Sequence, residues 1–140
     1  MAKRGDQCRL CRSAKPVVAE SKGALVSQAE QLLKHLYDRF NARDMDAVLA
    51  TMHPDVVWAN GLEGGYVHGH NGVREYWTKQ WAAMDSRADP LGFSIKVDRS
   101  AEVLVHLTAR DHEGKVLFDT NAIHVFRLHN GLISRFDILQ

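Results

Sequence analysis

From residue 25 onward the apolar positions recur with the period of a helix. Val26, Ala29, Leu33, Leu36, Tyr37 and Phe40 fall three and four residues apart and form one stripe. Asn41-Ala-Arg-Asp44 interrupts it, and Asp44 or Asp46 can cap a second, short helix carrying Ala47, Val48, Leu49 and Met52. His53-Pro54-Asp55 ends that helix, because the position before a proline disfavours helical backbone. Val56 to Asn60 reads as a strand, residues 61–65 as a Gly-rich loop and Tyr66 to His68 as a short strand. A third helix is predicted from Asn71 to about Met84, with Val73, Tyr76, Trp77, Gln80, Trp81 and Met84 on one stripe. Asp89-Pro90-Leu91-Gly92 reads as a break. Strands alone follow: Phe93 to Asp98, Glu102 to Asp111, Lys115 to Leu128 and Leu132 to Leu139. Helices first and a sheet afterwards predict an α+β domain, and the short turns between strands predict antiparallel pairing.

Alternation then sorts side chains onto faces. A three-residue turn at His112-Glu113-Gly114 pairs Asp111 with Lys115, which sets His106 opposite Thr120, Leu104 opposite Ala122 and Thr108 opposite Phe118. One face is thus expected to hold Leu104, His106, Thr108, Phe118, Thr120, Ala122, His124 and Phe126. The other holds Val103, Val105, Leu107, Asp119, Asn121, Ile123, Val125 and Arg127. Both are largely apolar, which suits a cavity on one side and a packed or dimeric surface on the other. A bulge in the Lys115–Leu128 strand would exchange the faces on one side of it.

Composition narrows the class. At 140 residues there is room for one core, and 45% hydrophobic with 25% charged residues is ordinary for a folded, soluble protein. A net charge of +1 makes no general case for nucleic acid, and no apolar run is long enough for a membrane span or a secretory signal, so the expected location is the cytoplasm. Residues 1–24 carry Lys3, Arg4, Arg9, Arg12, Lys15 and Lys22 against Asp6 and Glu20, without periodicity. They read as a basic, disordered leader ahead of a single domain over 25–140. Both cysteines, Cys8 and Cys11, lie in that leader as a C-x-x-C pair. No second ligand pair follows for zinc, and no thioredoxin-like unit surrounds them, so neither metal nor redox function is assigned.

Four stretches resemble the SnoaL-like family of the nuclear-transport-factor-2-like superfamily. Leu36-Tyr-Asp-Arg-Phe-Asn-Ala-Arg-Asp-Met-Asp-Ala-Val-Leu-Ala50, with Pro54-Asp-Val-Val-Trp58, is similar to its opening helices and first strand. Gly69-His-Asn-Gly-Val-Arg-Glu-Tyr-Trp77 is similar to the start of its third helix, and Val125-Phe-Arg-Leu-His-Asn-Gly-Leu-Ile-Ser-Arg-Phe-Asp137 to its closing hairpin. The resemblance implies a curved sheet wrapped into a cone, closed by helices around a small-molecule cavity, and a homodimer formed through the sheet. The superfamily includes ketosteroid isomerases, polyketide cyclases, scytalone dehydratase and limonene-epoxide hydrolase, so it implies a fold more firmly than a reaction. In ketosteroid isomerases a protonated aspartic acid before a V-x-R-F-like stretch donates to the substrate oxyanion; His124 holds that place here. Asn60 stands where the general-base aspartate would be, and Leu36 where the oxyanion-hole tyrosine would be, with Tyr37 one residue on. All three roles have changed residue, so steroid isomerisation is not expected.

The candidate chemistry is therefore His124 with His106 as acid or base, and Asn60 orienting a carbonyl or a water. Each has a plain structural alternative: a histidine hydrogen-bonded in a wall, or an asparagine capping a turn. Trp58, Tyr37, Trp77, Trp81, Thr120, Phe126 and Phe136 are candidate ligand contacts, and Glu63 sits in the loop expected at the pocket mouth. Asp119 joins the site only if its strand bulges. His68 and His70 have the spacing of a strand metal pair but lack a third ligand. Two functions remain open from sequence. One is a cofactor-independent enzyme of isomerase, dehydratase, cyclase or hydrolase type, acting on a small apolar, oxygen-bearing molecule. The other is a non-catalytic ligand-binding or dimerisation module.

Overall fold

A computed structural model describes residues 18–139, with side chains from residue 26. Helix α1 (Val18–Asn41) and helix α2 (Met45–Ala50) precede strand β1 (Met52–Ala59) and strand β2 (Tyr66–His68). Helix α3 (Gly69–Ala83) leads into β3 (Asp85–Ile95), β4 (Ala101–Arg110), β5 (Val116–His129) and β6 (Leu132–Leu139). The six strands form one curved sheet in the order β2-β1-β6-β5-β4-β3, with β2 and β3 left as free edges, so it does not close into a barrel. The three helices and this sheet make the expected α+β cone. The cysteine pair lies outside the described residues, as does most of the predicted leader; residues 18–24 of that leader belong to α1.

The helical stripe explains how α1 docks. Leu33, Leu36, Tyr37 and Phe40 are buried against the sheet. Asn41 then pins the helix end to β3: its side-chain nitrogen donates to the Ala88 carbonyl at 2.8 Å, and its side-chain oxygen accepts from the Ala88 amide at 2.9 Å. Arg43 holds a left-handed backbone at φ 62° and donates to the carbonyls of Phe40 and Ser86 and to Asp85, closing the corner. Asp44 caps α2 by accepting from the Ala47 amide.

Three sequence expectations change. Strand β1 starts at Met52 and runs through Pro54, because its pairing with β6 is irregular between Met52 and Val57 and makes little demand on the proline nitrogen. That β1–β6 pairing is parallel, so the sheet is mixed and not wholly antiparallel. The expected break at residues 89–92 is the middle of β3. Pro90 is accommodated because β3 is an edge strand with a register shift between Pro90 and Gly92, where Leu91 is the extra residue and is exposed.

A fourth change matters most for the site. The 112–114 turn forms as expected, with the Asp111 amide donating to the Lys115 carbonyl. A bulge follows at once: Arg110 pairs with Val116 but Ala109 pairs with Phe118, leaving Leu117 over. Every later pair is displaced by one, so Val103 faces His124, Val105 faces Ala122 and Leu107 faces Thr120. Strand β5 keeps its expected faces and β4 reverses. Val103 and Val105 are wholly buried in the core, while Leu104 is exposed on the outside.

Candidate functional site

The inner face of β5 and β6 and the facing sides of α1 and α3 enclose a cavity of about 380 Å³, within the range of small-molecule pockets. Its walls are mostly aromatic. Trp58 stacks on Phe136 with ring centroids 4.1 Å apart, and Phe126 packs edgewise or tilted against Tyr37, Trp58 and Phe136. Trp77 closes the α3 side, in edge contact with Trp58 and Phe40. Such rings give a large apolar surface with few rotatable bonds, which suits a preformed pocket.

Polar atoms are sparse inside it. His124 is only 7% exposed, and its Nδ1 lies 2.7 Å from the Tyr37 hydroxyl, itself buried. Burial pushes the His124 imidazole down to about 4 and the Tyr37 phenol well above its ordinary value, so both are uncharged at neutral pH. One proton lies between them. If the phenol donates to Nδ1, the imidazole Nε2–H is left to donate; if Nδ1–H donates to the phenol oxygen, the hydroxyl hydrogen is left instead. Either way the pair retains one donor for a ligand. Among the described residues Nδ1 is the only ring atom of His124 in a hydrogen bond. The Trp77 indole N–H and the Ser86 hydroxyl are buried and have no partner among the described residues. Both residues line the cavity, together with Gln80. Buried polar atoms without partners are costly, and a ligand oxygen would satisfy them.

The residues singled out by sequence divide into two groups. His124, Tyr37, Trp58, Trp77, Thr120, Phe126 and Phe136 all line the cavity. Trp81 does not: it stacks behind Trp77 and under the Arg43 guanidinium. His106 faces outward, against the expectation that it shares a face with His124, because the bulge at Leu117 reverses β4. Its Nε2 meets Asp119 Oδ1 at 2.6 Å on the outer surface. Asn60 is spent on its own loop, where its side-chain oxygen accepts from the amides of Leu62 and Glu63. Glu63 is exposed and faces only the Asn60 amide, at 3.4 Å. His70 donates through Nε2 to the Met52 carbonyl at 2.9 Å, and among the described residues no three metal-ligating side chains gather.

Of the buried polar residues in the lining, two were not expected as ligand contacts from the sequence. Gln80 was visible as the one amide on the α3 stripe and is buried. Ser86 lies on the part of β3 that precedes the proline, a stretch with no alternation strong enough to mark a strand.

The family model for the SnoaL-like domain matches residues 33–136. The chain belongs to the SnoaL-like family. No curated protein matches it. Solved structures share the fold of this SnoaL-like domain. TerC, co-crystallised with polyporic acid, is 23% identical over 80% of this chain and 90% of its own, with a TM-score of 0.70. RV0760c from Mycobacterium tuberculosis, solved with estradiol-17beta-hemisuccinate, is 16% identical over 81% and 93%, at 0.71. An NTF2-like protein of unknown function from Burkholderia pseudomallei is 27% identical over 80% and 89%, at 0.70.

Proposed function

We propose that this SnoaL-like domain binds a small, largely apolar organic molecule bearing a carbonyl or hydroxyl oxygen, and that Tyr37 and His124 grip and polarise that oxygen. The observation that carries this reading is the uncharged Tyr37–His124 pair, buried in an aromatic cavity with one donor unspent. A neutral donor fixed in a water-poor site stabilises negative charge developing on an oxygen without reorganising. An imidazole near 4 is a poor general base at neutral pH, so oxygen polarisation is favoured over proton abstraction. Cofactor-independent isomerisation, dehydration, cyclisation and hydrolysis all develop charge on such an oxygen. The small organic molecules held by TerC and RV0760c support the ligand class.

A second reading, ligand binding without turnover, is favoured by one observation: among the described residues no aspartate or glutamate lines the cavity. The test is to identify, by mass spectrometry, the molecule that co-purifies, and then to measure its affinity and conversion with Tyr37→Phe and His124→Gln. Loss of one such donor should cost on the order of 10²–10³-fold in turnover. Weakened binding with no conversion in any form would leave the binding-module reading; unchanged affinity in both variants would sink the role of the pair.

For assembly, we propose a two-fold homodimer through the outer sheet face. The support there is exposed Leu104 and Ile123, paired with each other, and not the Val103 and Val105 expected from alternation.

A further inference from the structure

Helix α3 carries a second polar pair on the cavity wall. Tyr76 and Gln80 are one helical turn apart, so their side chains share a face, and both line the cavity. Gln80 is 9% exposed. The Tyr76 hydroxyl oxygen accepts from the Gly61 amide at 3.2 Å and lies within hydrogen-bond reach of the Gln80 side-chain amide. Among the described residues neither side chain has a further hydrogen-bond partner. Burial raises the Tyr76 phenol above its ordinary value, so it keeps its proton at neutral pH.

Donors exceed acceptors at this wall. If the Gln80 nitrogen donates to the phenol oxygen, the phenol hydrogen is unspent. If the phenol donates to the Gln80 oxygen, both amide hydrogens are unspent. Either way the pair keeps a donor and calls for an acceptor. Trp77, with its ring centroid 4.8 Å from that of Tyr76, adds an indole N–H that has no partner among the described residues. This pair is distinct from Tyr37–His124, and Ile138 stands between them. Ile138 is the direct partner of His124 across β5 and β6. A side chain at Gly61 would meet Ile138 Cδ1 at 3.1 Å and the Tyr76 hydroxyl at 4.0 Å. An oxygen held at one pair is therefore across Ile138 from an oxygen held at the other. Fixed charge plays no part inside. Among the described residues no carboxylate lines the cavity, and Arg87, the one arginine in the lining, turns to Asp89 on the outer face. We propose that the ligand is a neutral molecule with two separated acceptor oxygens, a diketone or hydroxyketone in class: Tyr37 and His124 hold one, and Tyr76 and Gln80 hold the other. This rests on the reading that Tyr37 and His124 grip an oxygen and adds the second.

The test uses two neutral probes of matched shape, 6-acetyl-1-tetralone and 6-isopropyl-1-tetralone, titrated into the full chain by isothermal calorimetry. Both carry the ring ketone, and only the first carries a second acceptor. In the double variant Tyr76→Phe with Gln80→Leu, the affinity ratio of acetyl to isopropyl probe should fall at least about fivefold. Comparing ratios cancels the difference in hydrophobicity between the probes, and an unchanged thermal midpoint verifies that the variant folds. A second readout needs no substitution. With the acetyl carbonyl isotopically labelled, its infrared stretch in the complex should lie below its value in hexane, as for a carbonyl that accepts a hydrogen bond. A ratio that stays constant in the folded variant, or an unshifted carbonyl, overturns the second oxygen and leaves the Tyr37–His124 reading standing. Failure of both probes to bind the unaltered chain overturns the cavity as a site for this class, and both readings with it.

Discussion

Replacing His124 with Gln offers a measurement of the buried pair that needs no ligand. An unfolded histidine titrates near 6.5, whereas burial lowers the folded His124 to about 4. Between those values the unfolded chain holds a proton that the folded chain refuses, so stability rises with pH. The contribution is fully present above about 6.5 and is lost as pH falls towards 4. The slope is at most about 1.4 kcal/mol per pH unit for one proton, and the gap between the two values makes the total about 3 kcal/mol. The side chain is 7% exposed, so solvent screening takes little from that figure. The assay is urea unfolding of both forms at pH 7.0, 6.0, 5.0 and 4.5, followed by tryptophan fluorescence. Asp98 and Asp137, held below the usual carboxylate value by Ser100 and Arg135 respectively, lose stabilisation only as pH falls through their lowered range, and they do so in both forms. The difference between His124 and Gln therefore isolates the imidazole. It should shrink by roughly 2 kcal/mol between pH 7.0 and 4.5. A difference that stays constant would mean His124 is as easily protonated folded as unfolded, and the uncharged pair at the centre of the site would be wrong.

Two further substitutions probe the fold and its assembly. Phe126→Ala removes a wholly buried ring that touches Tyr37, Trp58, His124 and Phe136, and should cost about 3–5 kcal/mol by urea unfolding; a loss below 1 kcal/mol would mean the aromatic wall is not packed as described. Leu104→Lys combined with Ile123→Lys puts two charges on the outer face and should convert a dimer to a monomer in sedimentation at micromolar concentration; an unaltered chain that is already monomeric there refutes the proposed interface.

How far the sequence exposes this molecule depends on which interactions decide each element. The helices were legible because their stripes are local: Leu33 to Phe40 bury on one side of α1 whatever lies opposite. Strand β3 was hidden because its proline argues for a break on local grounds, and only its place at the sheet edge, with a bulge to absorb it, makes the residue harmless. The parallel β1–β6 pairing was likewise invisible, since it joins strands far apart in the chain and no turn announces it.

The site shows the same division at the scale of single residues. Parity along β5 placed His124 inside the cavity correctly, because the bulge lies before it and leaves the strand's own alternation intact beyond Leu117. The same bulge sent His106 to the outer face, since a one-residue slip between partners exchanges every side chain on the strand opposite. What the sequence could not pair was Tyr37 with His124. By position Leu36, not Tyr37, matches the isomerase tyrosine, and one residue rotates a helical side chain by about 100°. Yet Leu36 and Tyr37 both line the cavity, because the concave sheet wraps around more than one stripe of α1. A tyrosine displaced by one position thus still reaches the cavity wall, and there it meets His124, at the place where the family resemblance implies an aspartic acid. The exchange keeps a hydrogen-bonded donor pair and discards the acidic proton: a protonated carboxylic acid gives way to an imidazole kept neutral by burial. With Asn60 engaged in its own loop, no carboxylate at the end of β1 takes up a proton either. On the function proposed above, the site would keep the grip on an oxygen and lack the proton shuttle, and so would favour polarisation of a bound molecule over migration of its double bonds.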